Sequence, residues 1–222
     1  MQFDIITIFP KILDSYINES ILRRAQKDKL IKITTHNLRD VVHDKHKTVD
    51  DKPYGGGVGM VMLVEPIYKT LKKIKRTKKS QVILLDPAGQ QFNQSMAKQF
   101  SKLDQLIFIC GRYEGLDARI DEFIDIKVSI GPYVLAGGEL PAMIITEATA
   151  RLIPEVLGNI KSTTQETHAK ENYVEHPQYT RPEVFKYRQG LKKKTLKVPP
   201  VLLSGNHQEI KKWQAENSKQ SK

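Results

Sequence analysis

The 222-residue chain is 39% hydrophobic and 27% charged, the balance of a globular protein, which excludes a largely disordered one and leaves room for a full domain plus a small second one. Its formal net charge of +11 points to a polyanionic partner, since cations that neutralise phosphates release counterions. Cys110 is the only cysteine, which excludes an internal disulfide and any multi-cysteine metal site and suits a reducing compartment, the cytoplasm.

The apolar stretch at residues 3–9 carries Asp4 and lacks a basic leader and a small-residue cleavage site, so it reads as a first strand rather than a signal peptide. Nothing in the chain reads as a membrane span. Pro10 opens a helical segment reaching residue 30, in which Ile12, Leu13, Tyr16, Ile17, Ile21, Leu22 and Ala25 share one face. Further strand-like runs at residues 30–35, 81–85, 106–110 and 125–130 alternate with helical spacing at 65–74, 93–100 and 139–152. That alternation predicts a largely parallel α/β sheet. Residues 158–177, "GNIKSTTQETHAKENYVEHP", lose the apolar period and read as a linker or functional loop. Beyond them, Ser204-Gly205-Asn206 caps a helix that runs through Glu209, Ile210 and Trp213 into a polar tail at 218–222.

Three glycine-bearing loops follow apolar strands, at residues 86–89, 111–115 and 130–138. If the strands are parallel, all three lie at their carboxyl ends, where open α/β sheets bind ligands. Each alone is ordinary turn chemistry. In series they describe a pocket built largely from backbone, suited to a flat ring read by main-chain hydrogen bonds. No G-x-x-x-x-G-K-[ST] phosphate loop occurs, Gly55-Gly56-Gly57-Val58-Gly59 lacks the following Lys and Ser/Thr, and no strand runs into G-x-G-x-x-G. His43 and His46 have H-x-x-H spacing without a further ligand set, so a polar loop role is favoured over zinc.

Residues 44–60, "DKHKTVDDKPYGGGVGM", form a long segment without helix or strand period whose basic and aromatic groups suit RNA contacts. Two basic clusters, seven Lys or Arg within residues 69–79 and Lys192, Lys193, Lys194 and Lys197 near the C-terminus, each read as a solvated face on their own. Together they favour RNA or DNA as the partner.

The strings "DKHKTVDDKPYGGGVGM" from Asp44, "CGRYEG" from Cys110, "SIGPYVLAGGELPAM" from Ser129, "RLIPEVLGN" from Arg151, "PQYTRPE" from Pro177 and "VPPVLLSGNH" from Val198 span nearly the whole chain. In them the sequence resembles the TrmD family of tRNA (guanine-N1)-methyltransferases. The resemblance implies a SPOUT-type parallel sheet with a deep trefoil knot and a small, mainly α-helical C-terminal domain. It divides the chain into a domain binding S-adenosylmethionine at 1–160, an interdomain linker and active-site loop at 161–176, and a shortened tRNA-binding domain at 177–222. It implies a homodimer with shared active sites, Mg²⁺ as an accessory ion, and guanosine 37 of tRNA, immediately 3′ of the anticodon, as the substrate.

By the same resemblance Leu85, Pro87, Gly89, Gly111, Tyr113, Glu114, Gly115, Ile130, Gly131, Pro132, Tyr133, Val134, Leu135, Gly137, Gly138 and Pro141 fall in or beside the cofactor pocket. His46, Lys47, Asp50, Tyr54, Arg181, Lys192, Lys193 and Lys194 are the implied RNA contacts. The family's catalytic arginine matches Arg151, and its aspartate base, in a D-S-F string, falls on Glu166 of Glu166-Thr167-His168. Guanine N1 holds its proton near neutral pH, so a base is needed, and a guanidinium at O6 would stabilise the charge that develops. Two departures accompany this match: residues 186–197 read as a longer, more basic loop than the family's usual connection, and the chain ends soon after Trp213. Two other readings stay open, a SPOUT enzyme acting on another RNA and a catalytically impaired RNA-binding homologue.

Overall fold

The computed structural model describes residues 1–158, 166–169 and 173–220. By contacts the chain forms two compact units, Met1–Ile160 and Lys161–Lys222. The first is built on strands β1 (Gln2–Thr7), β2 (Lys32–Asn37), β5 (Ser80–Gln91), β6 (Gln105–Cys110) and β7 (Ile126–Ser129), hydrogen-bonded in the order β2-β1-β6-β5-β7 and parallel throughout. A two-residue pair, β3 (Asp50–Asp51) with β4 (Val61–Met62), interrupts the long segment at 44–60.

Every residue of β6, QLIFIC, is buried, as expected of a central parallel strand covered on both faces. On one face Phe3, Ile5, Leu106 and Phe108 meet α1 (Asp14–Ile17), α2 (Ser20–Lys27), α4 (Gln94–Phe100) and α5 (Glu139–Ala150) through Ile17, Leu22, Met96, Phe100, Ala142 and Ile145. On the other, Ile6, Val82, Leu84, Ile107 and Ile109 meet Leu38, Val49, Met62, Ile120 and, from α3 (Val64–Lys73), Ile67. Asn93 caps α4 by accepting from the Met96 amide.

Two local expectations change. Residues 10–30 are not one helix: a 3₁₀ turn at Pro10–Leu13 leads into α1, and the chain breaks before α2. The break falls at residues 18–20: Asn18 leaves helical geometry while its side-chain amide donates to the Asp14 carbonyl, and Ser20 takes a positive φ of +48°. Residues 86–89 do not leave the sheet as a loop; Val128 pairs with both Leu85 and Gln90, so the four residues form a bulge inside β5. Asp86 folds this bulge by accepting the Ala88 amide, and Gly89 allows it to lie on the β7 backbone.

In the second unit β8 (Tyr173–Val174) pairs with β11 (Lys219–Gln220), and β9 (Val184–Gln189) with β10 (Lys192–Lys197), both antiparallel. The expectation of a mainly helical unit and of a basic loop at 186–197 is therefore corrected: the segment is a hairpin. Val184, Phe185 and Tyr187 favour strand, and Gly190 at φ +60° occupies the first turn position, where a two-residue hairpin turn takes glycine. The expected C-terminal helix is α6 (His207–Asn217), capped by Asn206, which accepts the Gln208 and Glu209 amides. Trp213 of α6 meets His176 and Tyr179 edge-on at 6.0 and 6.2 Å between ring centroids. Part of the expected polar tail is β11, and residues 221–222 lie outside the described residues, as do 159–165 and 170–172 of the expected linker. No helix among the described residues is long and apolar enough to cross a membrane.

A Cβ on Gly89 would stand 2.5 Å from the Val128 nitrogen and 2.6 Å from the Lys127 carbonyl carbon, both backbone atoms that cannot turn aside. Gly89→Ala should lower unfolding stability by about 3 kcal/mol through overpacking. Gly158→Ala, where a Cβ meets nothing within 4 Å, should stay within about 0.5 kcal/mol of the parent. Urea denaturation of both variants checks this, and equal midpoints would refute the close approach.

Candidate active site

A cavity of about 390 Å³ opens at the carboxyl edge of the sheet, between the β5 bulge, the loop after β6 and the loop after β7. That volume lies within the range of small-molecule sites. Of the residues expected there, all but Gly89 and Pro132 line the cavity. Gly89 is spent on the β7 backbone, and Pro132 is exposed to solvent. The lining also takes in Asp86, Arg112 and Ala136 from the three expected loops, and Leu84, Leu116, Ala118, Ile120, Asp121, Lys127, Val128 and Ser129 from outside them. Lys127 and Val128 become visible only once the β5–β7 register is known.

The loops hold one another. The Gly138 amide donates to the Gly111 carbonyl at 3.0 Å, and Arg112 bridges to Gly137. A Cβ on Gly138 would lie 2.7 Å from the Cα of Cys110. Gly138 therefore permits backbone-on-backbone approach rather than keeping ligand space open. The glycine facing space is Gly115, at φ +122°, where a Cβ would meet nothing within 4 Å.

Beneath the cavity Glu139 is 2% exposed at the first position of α5. Thr7 Oγ1 donates to its Oε1 at 2.6 Å, and the Arg112 Nε and Nη2 groups approach its Oε2 at 3.0 and 2.9 Å. Arg112 also donates to the Ala136 carbonyl and lies over the Phe9 ring at 4.8 Å. One carboxylate thus ties β1, the loop after β6 and the helix after β7, and the helix N-terminus favours its charge. Burial pushes the neighbouring Cys110 thiol well up, Glu139 adds to this and Arg112 opposes it. The thiol is protonated at neutral pH.

On the outer rim Asp117 accepts the Arg119 amide and guanidinium, and the side-chain hydrogen bond to Arg119 first, then that to its backbone, holds the carboxyl down to about 2. With the folded value below the ordinary 3.8, this clamp is complete above pH 4 and is lost only as the pH falls through about 2. The 44–60 segment is anchored at this wall as well: the Met62 amide donates to the Gly115 carbonyl, and the Glu114 amide to the Met60 carbonyl. Asp44 folds its start by accepting the His46 and Thr48 amides. His46, Lys47 and Tyr54 are exposed, whereas Asp50 is half-buried in β3.

Arg151 follows α5 as its C-terminal cap in the first unit and is half-buried. Glu166 opens a turn in the second unit, where its carbonyl accepts the Ala169 amide and the Thr167 hydroxyl accepts the Glu175 amide. Arg181 is exposed before Pro182, and Lys192, Lys193 and Lys194 open β10. In the 69–79 cluster Lys69 pairs with Glu65, Arg76 with Asp125, and Lys72 lies over Tyr68. Those three serve their own fold.

A parallel sheet with backbone-rich loops around a cavity at its carboxyl edge defines an α/β protein with a small-molecule-sized site where open sheets of this kind bind ligands. The family model described as tRNA (Guanine-1)-methyltransferase TrmD matches residues 1–222. The chain is 47% identical over 221 residues to the tRNA (guanine-N(1)-)-methyltransferase of Enterococcus faecalis, covering 98% of this chain and 86% of that one. It is 48% identical to those of Dictyoglomus turgidum (96% and 83% covered) and Clostridioides difficile (98% and 92%). The chain belongs to the TrmD family of tRNA (guanine-N1)-methyltransferases. This favours tRNA over another RNA.

Glu139→Gln keeps the shape but strands the Arg112 charge, and should cost about 3 kcal/mol of stability. In a double-mutant cycle with Arg112→Gln, measured by urea denaturation, the two losses should fall well short of additive. Additive losses would mean that the pair is not coupled.

Proposed function

We propose that the protein methylates N1 of guanosine 37 in tRNA, in the cytoplasm, using S-adenosylmethionine. The observation that carries this reading is the cavity between the three interlocked loops, in a chain of the TrmD family. The lining fits such a donor: Leu85, Val128, Ile130, Leu135 and Pro141 offer apolar walls for an adenosine, glycine-rich backbone lies beside them, and the Glu114 carboxylate complements an amino or sulfonium cation. When bound, the donor supplies an electrophilic methyl group. Of the family's residues, Leu85, Pro87, Gly111, Tyr113, Glu114, Gly115, Ile130, Gly131, Tyr133, Val134, Leu135, Gly137, Gly138 and Pro141 would form its site, with Gly89 shaping the bulge. Magnesium belongs to the same family reading.

Glu166 takes the proton from guanine N1, which frees the nitrogen lone pair in the ring plane. Arg151 stabilises the negative charge that spreads to O6. Residues 1–160 bind the donor, 161–176 carry the base, and 177–222 hold tRNA, with His46, Lys47, Asp50, Tyr54, Arg181 and Lys192 to Lys194 as RNA contacts. The trefoil knot is part of this proposal, supported by family membership.

The working form is a homodimer whose sites combine the donor pocket of one chain with the Glu166 of the other. Exposed apolar side chains support a second copy: Leu140 and Ile144 lie one turn apart on α5, Phe9, Ile12 and Tyr16 are exposed in the segment at 9–16, whose 3₁₀ turn packs on α5, and the Tyr16 hydroxyl donates to Glu147 of α5.

Mass spectrometry of a tRNA transcript incubated with protein and S-adenosylmethionine should detect 1-methylguanosine when position 37 is G and none when it is A. Its absence from both would leave an RNA-binding homologue without catalysis. Glu166→Gln should slow single-turnover methylation by about 10²–10⁴-fold with cofactor affinity unchanged, and a near-normal rate would remove Glu166 as the base.

The shared site has its own test. Leu135→Arg fills the cavity from an exposed wall position and should abolish cofactor binding. A purified heterodimer of Leu135→Arg and Glu166→Gln chains should regain about half the wild-type rate, because one of its two sites is intact. An inactive, folded heterodimer would place pocket and base in one chain.

A further inference from the structure

The β9–β10 register sorts the hairpin's side chains into two faces, since residues directly opposite share a side. Lys197 opposes Val184, Thr195 opposes Lys186 and Lys193 opposes Arg188, so one face carries Lys186, Arg188, Lys193 and Lys197. The other carries Phe185 with Leu196, Tyr187 with Lys194, and Gln189 with Lys192. On it the Phe185 and Tyr187 rings stack at 5.8 Å with planes 12° apart, while Phe185 remains 53% and Leu196 57% exposed.

Residues 184–197 hold six Lys or Arg and neither Asp nor Glu. Apart from half-buried Tyr187, every residue of the two strands is exposed. A two-stranded ribbon with both faces in water is marginal, and like charges placed opposite each other, as Lys193 and Arg188 are, weaken it further. A polyanion relieves the repulsion. An aromatic pair flanked by cations adds a platform for an unpaired base, which a purely acidic partner would not use.

We propose that this hairpin is a two-faced RNA-binding finger, roughly 20 Å long. Lys186, Arg188, Lys193 and Lys197 neutralise tRNA phosphates, and Phe185 with Tyr187 stacks on an unpaired base of the same RNA. Lys192 and Lys194 flank the stacking face rather than acting with Lys193 as one phosphate clamp. The inference rests on the reading of the substrate as tRNA.

The test uses the full chain and an unmodified tRNA transcript, with affinity followed by fluorescence anisotropy between 50 and 200 mM KCl. K186Q/R188Q/K193Q/K197Q should reduce the slope of log affinity against log salt by about 3. Phe185→Leu keeps the contact with Leu196 but loses the ring; it should weaken binding about tenfold at every salt without changing the slope. Both variants should keep calorimetric S-adenosylmethionine affinity and the parent's urea midpoint, which separates lost RNA contact from lost folding.

An unchanged slope in the quadruple variant overturns the phosphate face. Unchanged affinity in Phe185→Leu overturns the stacking face, as does a Phe185→Leu change in sedimentation alone, which would assign that face to a protein interface. The two readings fail separately: wild-type protein that binds the transcript with hairpin-dependent salt sensitivity but forms no 1-methylguanosine refutes methylation and retains the finger. Normal methylation with hairpin-independent binding does the reverse.

Discussion

The carboxylate of Glu139 is the constraint from which the first unit's site is hung. A charge buried at the start of α5 is tolerable only if donors surround it, and Thr7 and Arg112 supply them from β1 and from the loop after β6. Because Arg112 also reaches Ala136 and lies over Phe9, its position fixes the height of the loop after β7 relative to the sheet. Gly137 completes the fit: a Cβ there would stand 2.2 Å from Arg112 Nε. The cavity is thus shaped by an ion pair below it and by glycines that let three stretches of backbone close around it.

Much of the sheet was legible because apolar period and strand length agree. The fully apolar QLIFIC announces a central strand, and the segments flanking it announce helices through their spacing. What escaped were departures driven by single hydrogen bonds or by register. Nothing in the apolar pattern of residues 10–30 reveals that the backbone leaves helical geometry at Asn18 and Ser20. The bulge at 86–89 looked like a loop because Pro87 and Gly89 are turn residues, whereas pairing with β7 resumes at Gln90. The lysines of β10 hide a strand, since they carry little strand preference of their own and the β-forming residues lie on the partner strand β9.

The site divides in the same way. Its glycine loops could be read from the residues, although the reason for Gly138 could not: it clears Cys110 rather than a ligand. Arg112 and Glu139, 27 positions apart, are coupled only in three dimensions. Glu166 and Arg151 carry no local signal that distinguishes them from other charged residues, and only the matched strings single them out.

Cys110 has a consequence of a different kind. The chain's sole thiol is 1% exposed and held in its protonated form by burial. To a maleimide or a spin-label reagent the folded protein is therefore a blank surface, with no native group to remove first. A cysteine introduced at the hairpin tip, Leu191→Cys, where the side chain is fully exposed, would carry the whole signal. The same burial that packs β6 against α5 thus makes the wild-type scaffold suited to single-site optical and magnetic probes.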